Sequence, residues 1–134
     1  MTLREDITSE IDAICGAKWT TRQGEIVPVP KDIGLESNDG VVFDSAAVLY
    51  ADLSDSTEMV DTKKSKFAAE VYRGFLATVA RVIRAEGGEI TAYDGDRVMS
   101  VFLGDDKEAN AARCALKINN VVKKIVTPAL CVFH

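Results

Sequence analysis

The sequence contains a single histidine, His134, at its last position. A Ser-His-Asp or Cys-His catalytic arrangement inside the chain is therefore excluded, and so is a histidine-rich metal site. Cysteine is also scarce, since Cys15, Cys114 and Cys131 form an odd set without CxxC spacing. Structural zinc and a disulfide framework are disfavoured by that pattern. Any chemistry must therefore rely on carboxylates, hydroxyl groups, lysine, arginine and bound metal ions.

Long apolar runs are absent as well. The run Ala46–Ala51 is far shorter than the roughly 20 residues that span a bilayer. The N-terminus shows no basic region followed by an apolar stretch, so we expect a cytoplasmic protein with no membrane partner. The glycine motifs G-x-x-x-x-G-K-[ST] and G-x-G-x-x-G do not occur either, which excludes P-loop and Rossmann sites.

Basic residues are fewer than acidic ones, 16 against 21, and the net charge is −5. Non-specific nucleic-acid binding depends on phosphate neutralisation by lysine and arginine, so we expect no nucleic-acid partner. A nucleotide held through divalent cations remains compatible with this composition, because carboxylates are the groups that bind such cations.

The N-terminal third predicts one helix and a connector. Apolar residues recur at helical spacing at Leu3, Ile7, Ile11 and Ile14. They predict an N-terminal helix over residues 1–16 that Gly16 ends. Residues 17–45 are less regular, and we interpret them as a connector with one short strand near Glu25–Val29.

A continuously apolar strand is predicted at residues 46–51, as expected of a strand covered on both faces. It ends at Asp52, and the small polar residues 53–58 suit a tight loop and a helix N-cap. A long amphipathic helix follows from about Lys64 to Glu86, and Gly87-Gly88 ends it.

Two β-favouring runs, 89–93 and 97–102, flank Asp94-Gly95-Asp96 and predict a hairpin. The last helix is predicted from about Lys107 to Val126, with Pro128 stopping it. This order of elements predicts an α+β or α/β fold in which helices cover a sheet.

Asp52 and Asp96 are the candidate catalytic residues. Each lies where a predicted strand meets a turn, and the long helix between them returns the chain across the sheet. Two carboxylates at one sheet end can bridge a pair of divalent cations for phosphoryl transfer. Backbone N–H groups of residues 53–57 can then bind phosphates. The alternative is that Asp52 is only a helix N-cap and Asp94-Gly95-Asp96 only a turn.

The same segments resemble the class III nucleotidyl cyclases. Residues 47–57, AVLYADLSDST, resemble the first metal-binding segment of that family, an aromatic-Ala-Asp-Ile strand followed by a Gly-Phe/Ser-Thr loop. Residues 87–102 resemble the second, a Gly-Gly turn, a strand and a Gly-Asp-Gly turn. The resemblance covers about residues 45–126.

The resemblance implies a ferredoxin-like core over residues 46–134, with the C-terminal part of the usual domain missing. It also implies a head-to-tail homodimer with active sites at the interface. The residues that it implicates in binding two Mn²⁺ or Mg²⁺ ions are Asp52, Leu53 and Asp96. Those that it places at the triphosphate are Ser54, Asp55, Ser56 and Thr57.

Three departures from the family pattern concern the substrate. Asp55 stands where the family usually has glycine, Arg97 follows the second metal aspartate in place of glycine, and Ala92 occupies the purine-reading position. On a strand, Tyr50 shares the face of Asp52. Tyr50 with Arg97 resembles the pyrimidine cyclases of bacterial Pycsar antiphage defence, in particular the uridylate cyclases. The alternatives are a core position for Tyr50 and a surface ion pair of Arg97 with Asp94 or Asp55.

The resemblance therefore implies conversion of UTP to cyclic UMP and pyrophosphate, with the product acting on a separate cyclic-nucleotide-sensing effector in antiphage defence. Two other functions remain open from the sequence. One is a catalytically silent cyclase-homology module that dimerises or binds nucleotide. The other is a cyclase for CTP or for a purine nucleotide.

Overall fold

The computed structural model describes residues 1–33, 38–55, 58–59 and 64–133. Contacts between residues divide the chain into two compact units, Met1–Asp44 and Ser45–His134. Helices and sheets follow one another in an α+β arrangement, which confirms the predicted fold class. Among the described residues, no helix combines the length and the apolar composition that crossing a membrane requires.

Helix α1, Leu3–Gly16, opens the first unit. Its N-terminus carries a capping box, in which the Glu5 N–H donates to Thr2 Oγ1 at 3.3 Å and the Thr2 N–H donates to Glu5 Oε2 at 2.7 Å. At the other end, the side-chain amide of Asn38 donates to the carbonyls of Ile14 and Ala17. Both ends of α1 therefore have partners for part of their free backbone groups.

A parallel pair of short strands completes this unit: β1, Thr20–Gln23, and β2, Asp39–Val42. A 3₁₀ turn, Pro30–Asp32, lies between them. The strand predicted near Glu25–Val29 is wrong. Pro28 lacks the N–H that a β-ladder needs. The strand forms instead at the polar residues of β1, because they pair with β2, which lies 19 residues further along the chain.

The second unit contains three strands, β3 (Ala47–Asp52), β4 (Glu89–Asp94) and β5 (Arg97–Phe102). They form an antiparallel sheet of order β3-β5-β4. The hairpin predicted around Asp94-Gly95-Asp96 is confirmed, and Gly95 adopts a positive φ of 61° in its turn.

One face of this sheet is packed and the other is open. On the packed face, Ala51, Val98 and Phe102 are buried against the helices. On the open face, Val48 is 53% exposed and Tyr50 is 56% exposed. The prediction that β3 is covered on both faces is therefore wrong. An antiparallel sheet needs only one covered face, and the apolar residues of β3 fit either arrangement.

Helix α2, Ser65–Ala85, packs on the sheet through Phe75, Val79 and Ile83. It ends in a Schellman motif, in which Gly88 N–H donates to the Ile83 carbonyl at 3.0 Å and Gly87 N–H donates to the Arg84 carbonyl at 3.2 Å. Gly87 has the left-handed φ of 84° that this motif requires. A Cβ on Gly88 would lie 2.6 Å from the Phe102 ring. The predicted role of Gly87-Gly88 as the helix end is confirmed.

Helix α3, Lys107–Val121, continues through a π-helical turn, Val122–Val126, into α4, Thr127–Phe133. The prediction that Pro128 stops the helix is wrong. Pro128 is the second residue of α4, and a proline is tolerated in the first turn of a helix, where its missing N–H costs little. The π-turn shifts the hydrogen bonding so that Thr127 N–H donates to the Val122 carbonyl.

Glu86 joins the end of α2 to α3. Its side chain is only 7% exposed and pairs with Lys117 and with Arg113, whose Nε lies 2.7 Å from Glu86 Oε2. Arg113 also donates to Asn110 Oδ1 at 2.6 Å. These hydrogen bonds, first from Lys117 and then from Arg113, hold the pKa of Glu86 below its ordinary value of 4.5.

We expect Glu86→Gln to lower the free energy of unfolding at neutral pH. We also expect this free energy to fall less steeply than in the unsubstituted protein as the pH decreases. A carboxyl with a lowered folded-state pKa stabilises the fold above its unfolded pKa, and this stabilisation disappears as the pH falls through the folded pKa. Urea unfolding at a series of pH values between about 3 and 7 measures it. Glu89→Gln, at an exposed position of β4, is the control. If Glu89→Gln reduced the pH dependence of the free energy of unfolding as much as Glu86→Gln, the role of Glu86 would be contradicted.

Candidate active site

The structure brings the two candidate aspartates to one end of the sheet. Asp52 is the last residue of β3, and Asp96 lies in the hairpin turn immediately before β5. The Leu53 N–H donates to the Asp96 carbonyl at 3.0 Å, so the segments that contain Asp52 and Asp96 are hydrogen-bonded one residue beyond the end of the sheet. Asp52 is not the N-cap of α2, because that position belongs to Lys64.

Asp52 pairs with Arg97, which lies directly opposite it on β5. Arg97 Nε is 3.7 Å from Asp52 Oδ2, and the side chains are 44% and 54% exposed. A half-exposed pair at this distance contributes at most about 1 kcal/mol, so a better partner for either group can replace it. The predicted alternative of an Arg97 pair with Asp94 or Asp55 is wrong: register places both Asp52 and Asp94 opposite Arg97, and the ion pair is formed with Asp52.

Tyr50, Met99 and Ala92 form a row across the open face of the sheet. The core position considered for Tyr50 is wrong, since its side chain is exposed and on the same face as Asp52. Tyr50 and Arg97 are diagonal neighbours on adjacent strands, a separation of about 7–8 Å that long side chains can bridge. The open face therefore presents a phenol and a guanidinium beside the aspartates.

The loop after β3 begins with a turn at Ser54 and Asp55, both exposed. Asp55 has a φ of 56°, the only non-glycine residue with a positive φ in the described parts of the chain. This left-handed conformation favours glycine, and aspartate is among the side chains that tolerate it. Met59 N–H donates to the Asp55 carbonyl at 3.0 Å. Ser56 and Thr57 lie outside the described residues.

The carboxylates at this site suit a metal that arrives with its substrate. Within residues 1–33, 38–55, 58–59 and 64–133, no group of three or more His, Cys, Asp or Glu side chains can hold a metal ion. Mg²⁺ is commonly held by one or two carboxylates together with substrate phosphates, rather than by a complete protein cage. Asp52 and Asp96, with the backbone carbonyl of Leu53, match that smaller donor set.

Sequence comparison finds three curated relatives that share most of this chain. Uridylate cyclases from Burkholderia cepacia and Xanthomonas perforans are 48% and 44% identical over 97% and 96% of the chain. One from Rhodovulum sp. is 38% identical over 96%. The chain is therefore similar in sequence to uridylate cyclases. It spans 52–57% of the length of these three relatives. No protein-family model matches it.

Solved structures that share the fold include adenylyl and guanylyl cyclases. A bacterial light-regulated adenylyl cyclase matches 60% of this chain and 23% of its own, with a TM-score of 0.56 and 22% identity. The guanylate cyclase domain of RhGC from Catenaria anguillulae, in complex with GTP, matches 60% of this chain and 46% of its own, with a TM-score of 0.55 and 17% identity. The predicted resemblance, in sequence to uridylate cyclases and in fold to adenylyl and guanylyl cyclases, is thereby confirmed.

Two features of the site are not among the predictions made from the sequence. Met99 lies between Tyr50 and Ala92 on the open face, and the alternation of buried and exposed residues along β5 is the signal that would have placed it there. The Asp52–Arg97 pair had no local signal, because only strand register makes the two residues neighbours.

Proposed function

We propose that this protein is a nucleotidyl cyclase that converts UTP to 3′,5′-cyclic UMP and pyrophosphate. The observation that carries the proposal is the identity of 38–48% with three uridylate cyclases over nearly the whole chain. The geometry agrees with it, since Asp52 and Asp96 converge beside an exposed tyrosine and arginine on the open face.

The proposed metal ligands are Asp52, Asp96 and the carbonyl of Leu53. They would hold two Mn²⁺ or Mg²⁺ ions, which activate the ribose 3′-hydroxyl and neutralise charge on the triphosphate. Before the nucleotide arrives, Arg97 partly neutralises Asp52. Because that exposed pair is weak, the carboxylate can exchange the guanidinium for a divalent cation at little cost.

The proposed triphosphate-binding segment is Ser54–Thr57, with its backbone N–H groups as the donors. The left-handed backbone at Asp55 turns the chain sharply directly after the metal-binding strand. Such turns present successive N–H groups to anions. The side chain of Asp55 adds a negative charge there, so we assign the phosphate contacts to the backbone rather than to this carboxylate.

Pyrimidine selection is assigned to Tyr50 and Arg97. Both are donors, and a uracil offers carbonyl oxygens as acceptors. Ala92 lies in the same row as Tyr50 and has no polar atom with which to read a purine. A hydrogen-bonded donor pair discriminates strongly, because a base that cannot accept leaves the donors without partners.

A head-to-tail homodimer with the active sites at its interface fits the open face. Val48 and Tyr50 are more than half exposed there, although the opposite face of the same strand is packed. A second copy covering this face would remove the apolar surface from water and enclose the nucleotide. We further propose that the cyclic UMP acts on a separate effector protein in antiphage defence, as in the Pycsar systems that the sequence resembles.

The test is incubation with ATP, GTP, CTP and UTP, each with Mn²⁺, followed by separation of the products by mass. We expect cyclic UMP and pyrophosphate from UTP, with at least about tenfold less product from each other nucleotide. If CTP or a purine nucleotide were converted faster than UTP, the assignment of UTP as the substrate would be wrong. Metal-dependent UTP binding without any product would favour a silent nucleotide-binding module instead.

A further inference from the structure

Arg97 lies between two aspartates at the end of the three-stranded sheet. In the strand order β3-β5-β4, Asp52 is its direct partner on one side and Asp94 its direct partner on the other. Directly opposed residues on neighbouring strands share a face, and their Cβ atoms are about 4.5–5.5 Å apart. The three side chains therefore form a row across the end of the open face, with the guanidinium in the middle.

Arg97 pairs with only one of these two carboxylates. Its Nε lies 3.7 Å from Asp52 Oδ2, which is longer than the roughly 2.7–3.2 Å of an N–H···O hydrogen bond. Asp94 is exposed and forms no ion pair with any described residue. A guanidinium carries five N–H donors on a long side chain, so it can move from one neighbour to the other while the strands stay paired.

Asp52 ceases to attract Arg97 once it binds a divalent cation, a step that rests on the proposed function. Its negative charge is then compensated, and the guanidinium is left close to a second positive charge that repels it. Asp94 is the carboxylate opposite Arg97 that still carries an uncompensated charge. Because it lies on the other side of Arg97 from Asp52, a move to Asp94 also takes the guanidinium away from the cation.

We propose that Asp94 is a positioning residue that receives the guanidinium of Arg97 when Asp52 binds a metal ion. Ala92 lies two residues before Asp94 on β4 and on the same face, and its small side chain leaves space there for a pyrimidine base. Held by Asp94, Arg97 still has N–H groups with which to donate to a carbonyl oxygen of that base. Asp94 contacts neither the metal nor the nucleotide and acts only through Arg97.

NMR of the Arg97 Nε–H group tests this change of partner without metal, nucleotide or turnover. Arg97→Gln identifies the signal by its disappearance. Asp94→Asn should leave the signal unchanged, because Asp52 holds the guanidinium. Asp52→Asn should shift it, since Asp94 becomes the partner. Adding Asp94→Asn to Asp52→Asn should make the exchange of the Nε proton with water about twofold to fivefold faster, because no carboxylate then remains opposite Arg97.

Kinetics test the consequence for the substrate. Asp94→Asn is expected to raise the KM for UTP by about fivefold, equivalent to about 1 kcal/mol, and to change kcat less. Asp94→Glu keeps the carboxylate and should restore most of the affinity. In the Arg97→Gln background, Asp94→Asn should have no further effect, because the two residues act as one unit. Glu89→Gln removes a carboxylate from the same face of the same strand and is the control.

Two results would overturn the positioning role. One is an equal exchange rate of the Nε proton in Asp52→Asn and in the double variant, whichever nucleotide the protein uses. The other is a lower KM for UTP in Asp94→Asn, since that is the effect of removing a charge that merely repels the triphosphate. The expected NMR result without any conversion of UTP would instead contradict the proposed function, while the contact of Asp94 with Arg97 would be supported.

Discussion

Replacing Asp52 or Asp96 with asparagine is expected to lower cyclic UMP formation by more than about 100-fold. Loss of groups that merely support metal ligands already costs about 10–100-fold, and these two carboxylates are assigned as ligands themselves. Asparagine keeps the shape of the side chain and removes its charge. The weak, half-exposed pair of Asp52 with Arg97 contributes little to folding, so the fold should survive in Asp52→Asn.

Two measurements keep this prediction independent of folding and of turnover. Thermal unfolding should show a midpoint close to that of the unsubstituted protein, and calorimetry should show that Mn²⁺-dependent UTP binding is lost. Asp105→Asn is the matched control, because it removes an exposed carboxylate from a turn elsewhere in the same unit. If Asp52→Asn and Asp96→Asn retained metal-dependent UTP binding like Asp105→Asn, the assignment of the metal ligands would be wrong.

Arg97→Gln is expected to reduce the kcat/KM for UTP by about tenfold to a hundredfold, because a charged hydrogen-bond donor to the base is worth about 1.5–3 kcal/mol. The kcat/KM for ATP and GTP, which do not offer the same carbonyl acceptors, should change much less. Selectivity for UTP should therefore fall. The half-saturating Mn²⁺ concentration should stay the same or decrease, since the substitution removes the cation that competes for Asp52.

Tyr50→Phe tests the second donor on the same face. It should also lower the kcat/KM for UTP, but by a smaller factor than Arg97→Gln, because a neutral hydroxyl makes a weaker hydrogen bond than a guanidinium. Tyr93→Phe is the matched control, since Tyr93 is 53% exposed against 56% for Tyr50 but lies on β4 with its hydroxyl bonded to Arg84. If Arg97→Gln lowered the kcat/KM for UTP and for GTP by the same factor, Arg97 would not recognise the base.

Elements with a strong local signal were predicted well. The spacing of apolar residues in α2, the Gly87-Gly88 end and the Asp94-Gly95-Asp96 turn depend on neighbours in the chain, so the sequence alone contains their causes. The strand near Glu25–Val29 was wrong because β1 is short and polar and depends on a distant parallel partner. Pro128 was misplaced because a π-turn, which has no clear sequence signal, lets the helix resume before it.

The residue types that are available for chemistry, and the two carboxylates that follow β-structure, can be read along the chain, because the lack of an internal histidine and the strand-to-turn boundaries are local facts. The contacts of those residues depend on the fold. Strand register brought Asp52, 45 residues away in the chain, opposite Arg97, with which it forms an ion pair, and packing on one face left Tyr50 exposed on the other. Register and face coverage arise from contacts between segments far apart in the chain, and no local pattern contains them.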